Sequence, residues 1–199
     1  MPRRILILAG HPDPRPARFC HALADAYAEG AAAAGHELRR VSVAALEVPL
    51  LADKQEWETG DPPAPIRRLQ DDIAWAEHLV VIFPLWLGGM PARMRGVLEQ
   101  TFRPHFGSAA PAAAPAAGEL PRGLLRGKTA RIVVTMGMPA LLYRWYFGAH
   151  GLKSLERGVL RLLGIGAIGE SLIGRIDSGG DARRRRWLER MRALGRRGA

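Results

Sequence analysis

The 199-residue sequence predicts an α/β fold: a doubly wound, five-stranded parallel sheet in the order 2-1-3-4-5 with helices on both faces. Three observations predict it. Short, nearly continuous apolar runs alternate with longer stretches of helical periodicity along the whole chain, as buried parallel strands and their crossover helices do. The length suits one domain with a sizeable core, and no internal repeat or second domain is visible. The two most unusual loops follow the first and third strands, where this strand order has its switch point.

The elements follow in order. Arg4–Ala9 is a buried strand. Residues 17–34 form a helix with Phe19, Leu23, Ala26 and Tyr27 on one face and Gly35 as its stop. Residues 37–43 alternate as a second strand, 46–65 are a polar, Pro-containing loop, and 66–76 are a helix with Ile66, Leu69 and Ile73 inward. Strand three spans 78–83 and ends at Pro84; Pro91 opens a helix over 91–102. The Ala/Pro/Gly-rich segment 103–127 has no periodicity and reads as a lid-like insertion, with Phe102 and Phe106 placed to line or cap a substrate slot. Strand four spans 130–135, a helix 152–163, strand five 167–173 and a closing helix 182–196, with Trp187, Leu188, Met191 and Leu194 on its packing face. Domain organisation is thus a single unit over 1–199.

The net charge of +10 invites a nucleic-acid reading, but its distribution argues against one. Residues 182–199, with eight arginines and one glutamate, supply most of it and read as a solvated helix face. No apolar run approaches the roughly 20 residues that span a bilayer, and the stretch after Met1 is too short for a signal peptide. Cys20 is the only cysteine, which fits a reducing cytoplasm.

Two loops carry the chemistry. Gly10-His11-Pro12-Asp13-Pro14-Arg15-Pro16-Ala17-Arg18 leads into the first helix, whose start offers unpaired N–H groups; His11, Arg15 and Arg18 add donors for a phosphate. Pro84-Leu85-Trp86-Leu87-Gly88-Gly89-Met90 offers backbone polar groups and one flat aromatic surface, the combination a planar heterocycle such as a flavin needs. A third loop, Thr135-Met136-Gly137-Met138, lies at the same edge, followed by Tyr143 and His150, both able to move protons or donate to developing negative charge. Gly164-Ile165-Gly166-Ala167-Ile168-Gly169 matches the dinucleotide fingerprint in letters only, since a helix precedes it and a strand follows. No phosphate-loop or serine-elbow motif occurs, and the six histidines lack metal-ligand spacing.

Gly10-His11-Pro12, Phe83-Pro84-Leu85-Trp86 with Gly89-Met90-Pro91-Ala92, and Val134-Thr135-Met136-Gly137 together resemble the flavodoxin-like NAD(P)H:quinone oxidoreductases. That family includes DT-diaphorases, bacterial drug-activity modulators and ancillary subunits of glutathione-gated potassium efflux systems. The resemblance covers about residues 4–173. It implies noncovalent FMN, or FAD, NAD(P)H as hydride donor, two-electron reduction of quinones by a ping-pong mechanism, and a cytoplasmic homodimer. It places His11, Arg18, Phe19 and Cys20 at the phosphate, Pro84, Leu85, Trp86, Leu87 and Gly88 along the ring, and Thr135, Met136, Gly137 and Met138 along its other edge. Tyr143 and His150 take the catalytic positions. The chain departs from the family at Leu87, where many relatives carry a second aromatic, and at Cys20, where Ser, Thr or Asn is common. It lacks the C-terminal extension of the animal enzymes, which favours FMN. The resemblance also leaves a docking subunit of a membrane transporter and a flavodoxin-type carrier as alternatives; the basic charge speaks against the carrier.

Overall fold

The computed structural model describes residues 1–104, 106 and 123–199. The five strands are β1 (Arg4–Ala9), β2 (Glu37–Ser42), β3 (His78–Pro84), β4 (Thr129–Thr135) and β5 (Ile168–Ile173). They pair in parallel in the order β2-β1-β3-β4-β5, the predicted arrangement. One rung of the ladder runs Ile7, Val80, Arg131, Gly169 across the four strands β1, β3, β4 and β5.

Strand alternation divides the core in two. Leu6, Leu8, Leu79, Val81, Phe83, Ile132 and Val134 face α3 (Ala64–Trp75), α4 (Ala92–Thr101) and α5 (His150–Leu155). Ile5, Ile7, Val80, Ile82 and Val133 face α1 (Phe19–Ala33) and α6 (Gly180–Arg197). The α1–α6 contact is close because Gly30 and Gly195 stand where the helices cross: a Cβ at either position would overlap a carbonyl oxygen, Arg192 O or Tyr27 O.

Three local expectations are corrected. The loop 46–65 contains a helix, α2 (Lys54–Thr59), because Asp53 Oδ1 accepts from the Glu56 N–H at 2.8 Å while Glu56 Oε2 accepts from Ala52 N–H at 2.8 Å, a reciprocal cap. The stretch Leu142–Tyr146 is a π-helical turn, and Glu156–Arg161 extends α5 with a second. Phe102 and Phe106 are core residues more than a cap: both are buried, with ring centroids 5.8 Å apart, and Phe102 also lines a cavity of about 290 Å³ with Trp57, Met90 and Leu155. The rest of the 103–127 insertion lies mostly outside the described residues. The Gly164–Gly169 sequence forms the approach to β5, with a helix before it. No helix among the described residues is long and apolar enough to cross a membrane.

Candidate functional site

The loops after β1, β3, β4 and β5 meet at the carboxyl edge of the sheet around a cleft of about 240 Å³. In this topology the switch point lies between β1 and β3, and the chain diverges to opposite faces there, which opens the crevice.

The β1–α1 loop is tied to β3 by Gly10 N–H donating to Ile82 O at 2.7 Å. Asp13 organises the remainder of that loop. Its N–H donates to His11 Nδ1 at 3.0 Å, its carbonyl lies 2.8 Å from His21 Nε2, and its carboxylate pairs with Arg15 and Arg18, each at 2.6 Å. These hydrogen bonds, the Arg15 one foremost, hold the Asp13 carboxyl far below the usual carboxylate range. Burial, with His21 nearby, lowers the His11 pKa; because Nδ1 accepts a bond, the neutral ring carries its proton on Nε2. The 15-residue α1 begins without a side-chain cap and with no acidic residue in its first turn, so its leading N–H groups and dipole are left for an anion. His11, Arg18, Phe19 and Cys20 all line the cleft.

After β3, Leu85 N–H donates to Thr135 O at 2.7 Å and seats the next loop. Trp86 and Gly89 then bond reciprocally, N–H to O, at 2.8 and 2.9 Å, closing a two-residue hairpin turn. Its central residues, Leu87 and Gly88, have φ of 47° and 81°, the left-handed pair a type I′ turn needs. Glycine adopts this freely; Leu87 does so at a cost of about 1–2 kcal/mol. That strain aims Trp86 at the cleft, with its ring 6.1 Å from His11 and edge-on at 80°, and leaves Leu87 fully exposed at the tip.

The hairpin is clamped from behind. Tyr143, only 2 % exposed, donates from its hydroxyl to Gly88 O at 3.4 Å and accepts from Leu152 N–H at 3.1 Å. Gly151 lies against the Gly88–Gly89 backbone so closely that any side chain would strike it. In the β4 loop, Met136 N–H donates to Ile173 O at 2.9 Å and its side chain is buried. Among the described residues, Gly137 and Met138 have amide N–H groups with no partner.

Cys20 Sγ lies 3.2 Å from Thr135 Oγ1, and burial pushes its thiol up to about 11. The thiolate is the reactive form. Native protein at pH 8 should therefore resist iodoacetamide for hours and react within minutes in denaturant; equal rates, read by mass spectrometry, would contradict the buried thiol.

Of the expected site residues, His11, Arg18, Phe19, Cys20, Pro84, Trp86 and Thr135 line the one cleft. Leu85, Gly88, Gly137 and Met138 belong to the same loops but are not among the lining residues. Three expectations change. Leu87 points outward at the turn tip, Met136 has its amide and side chain committed to the fold, and the Tyr143 hydroxyl is engaged with the hairpin and α5. His150 is exposed at the start of α5, one residue from the Gly151 contact with the hairpin, and does not line the cleft. Ile176, Asp177 and Arg184 line it and were not foreseen. Arg184 bonds Ile176 O at 2.9 Å and lies over the Phe19 ring. The only signal was position: the β5 loop had to surface at the same edge.

The chain belongs to the flavodoxin-like fold family, whose model matches residues 3–194. Among solved structures it is similar to the Smu.1420 protein of Streptococcus mutans UA159, with 23% identity, TM-score 0.75 and coverage of 97% of this chain and 98% of that one. It is similar also to the NAD(P)H:quinone oxidoreductase of Methanothermobacter marburgensis, with 21% identity, TM-score 0.73 and coverage of 98% and 96%. An FMN-dependent NADH-azoreductase of Bacillus anthracis, solved with FMN, matches at 12% identity and TM-score 0.72 over 98% of both chains. At these identities the likeness shows the fold. A comparison with curated protein sequences finds no match.

Proposed function

We propose that this chain is an FMN-dependent NAD(P)H oxidoreductase that reduces quinones or similar acceptors by two electrons in a ping-pong cycle. One observation above all supports it: the loops after β1, β3 and β4 meet at a single cleft bounded by the uncapped start of α1 and by Trp86. The donor set suits such a group, with cations and helix amides at one end and a flat aromatic with free backbone amides at the other. The solved quinone oxidoreductase and azoreductase of the same fold point to the same chemistry.

Bound there, FMN supplies the hydride chemistry. The chain's residues do the rest. His11 Nε2–H, Arg18, Arg184 and the first amides of α1 hold the phosphate end. The 84–88 backbone and Trp86 hold the ring plane, and the Gly137 and Met138 amides stand available to its polar edge. Such preorganised donors are each typically worth about 3–4 kcal/mol where negative charge develops. His150, whose ring lies over Gly148, stands outside the cleft of this chain and takes no step there. Tyr143 is a positioning residue, since its hydroxyl reaches the hairpin backbone.

Purified protein should be yellow, bleach on NADPH or NADH addition, and recover its absorbance when a benzoquinone is added. A colourless protein that takes up no added FMN would end this reading. For Tyr143→Phe we expect FMN to bind about tenfold more weakly with kcat changed less than threefold, because the buried Leu152 N–H and the hairpin lose a partner worth about 1–3 kcal/mol. A fall in kcat with unchanged FMN affinity would instead make the hydroxyl catalytic.

The assembly we infer is a cytoplasmic homodimer. Leu141, Trp145 and Tyr146, which flank Tyr143 in sequence, are mostly exposed, apolar side chains that a second copy would cover. A monomer in sedimentation equilibrium at micromolar concentration would refute it.

A further inference from the structure

Near the amino edge of the sheet, opposite the cleft, Tyr27 Oη, His78 Nε2 and Arg131 Nε are buried and hydrogen-bond with no other group. Buried polar atoms are nearly always paired, so three on one face require an explanation. They do share a face. Tyr27 belongs to α1, and residues 78 and 131 have the same strand parity as Val80 and Val133, which pack against α1 and α6. His78 pairs with Thr129, so His78 and Arg131 sit two rungs apart on neighbouring strands, about 8 Å at Cα. Tyr27 is 0 % exposed and His78 2 %.

The surroundings are cationic. Arg3, Arg190 and Arg197 are charges close enough to act on this group, and no carboxylate is among those acting on Tyr27, His78 or Arg131. Arg190 and Arg197 are seven residues apart, on one side of α6. Arg3 is held in place by its Nη1 donating to Gly198 O at 2.7 Å. Arg131 donates to Ser171 Oγ at 3.1 Å, and Gly169 across the ladder makes room for its guanidinium. His78 Nδ1 lies 2.6 Å from Thr129 Oγ1. When Thr129 donates, the neutral ring carries its proton on Nε2, a third donor beside Tyr27 O–H and Arg131 Nε–H. Burial foremost, with Arg3 and Arg131, lowers the His78 pKa to about 3, so the ring is neutral at pH 7.

We propose that this buried cluster between the sheet, α1 and α6 binds a small monovalent inorganic anion of chloride size, held by Tyr27 O–H, His78 Nε2–H and Arg131 Nε–H. The anion satisfies three donors and offsets the repulsion among four guanidinium groups. It thereby fastens the arginine-rich α6 to the sheet. Three unpartnered donors on one buried face, with cations around them, make an anion a better occupant than a water, which would bring protons of its own.

The test is thermal melting of the full chain at constant ionic strength, replacing sodium gluconate stepwise with sodium chloride. Screening would act alike in both salts; a fully buried site would take the small chloride ion and not the bulky gluconate. The melting temperature should rise saturably, by about 5–10 °C at a hundredfold excess over Kd. Tyr27→Phe, which keeps the packing, and Arg131→Met should abolish the chloride-specific rise. Crystals soaked in bromide should show an anomalous peak within hydrogen-bond distance of Tyr27 Oη and Arg131 Nε. Equal melting in both salts, an unchanged rise in Tyr27→Phe, or no bromide peak there would overturn the proposal.

Discussion

Gly151→Ala should strip the protein of FMN while leaving it folded. A Cβ at residue 151 would overlap Gly88 O and stand 2.7 Å from Gly89 Cα, and both are backbone atoms that cannot rotate away. The hairpin must move instead. It carries Trp86 into the cleft and is anchored by its own two hydrogen bonds, the Leu85–Thr135 bond and Tyr143. A displacement of about 1 Å at a positioned site costs on the order of a hundredfold. We expect the Kd for FMN, from equilibrium dialysis, to rise at least tenfold, with melting lowered by only a few degrees. FMN affinity equal to that of the unaltered protein would mean that the hairpin holds no part of the cofactor.

The second large effect is one of sign. Gly→Ala inside a helix ordinarily stabilises by about 1 kcal/mol. At Gly195 it should destabilise by about 1–3 kcal/mol, the cost of overpacking a well-filled contact. The added methyl would overlap Tyr27 O and lie 2.9 Å from Ala31 N, forcing α6 off α1. Gly30→Ala meets Arg192 O from the other side. The pair should not be additive, because both changes open the same crossing. Urea unfolding measures this directly, and a rise in midpoint for Gly195→Ala would show that the helices are not in backbone contact.

The central strands were legible in the sequence because β1 and β3 are buried on both faces and so read as apolar runs, as Leu79-Val80-Val81-Ile82-Phe83 does, whereas β2 at the sheet edge is partly exposed and reads by alternation. The short α2 was written locally too, in the Asp53 to Glu56 cap, but lies in a segment whose prolines and charges obscure any apolar periodicity. The β1 and β3 loops announced themselves by residue type. Arg184, by contrast, is one of eight arginines within 182–199, and only the docking of α6 beside the β5 loop sets it apart.

From its residues alone this chain determined its strand order, its switch point and the loops that surround the cleft, since apolar pattern and turn chemistry are local and topology rules leave few arrangements. Tertiary structure alone decided which side chains serve that cleft and which serve the fold. Tyr143 turns to the hairpin backbone, Met136 sinks into the core, and Tyr27, His78 and Arg131 each leave a buried polar atom unpaired. Those outcomes depend on groups up to about a hundred residues apart meeting across a helix or a rung of the sheet, and no local pattern encodes such a meeting.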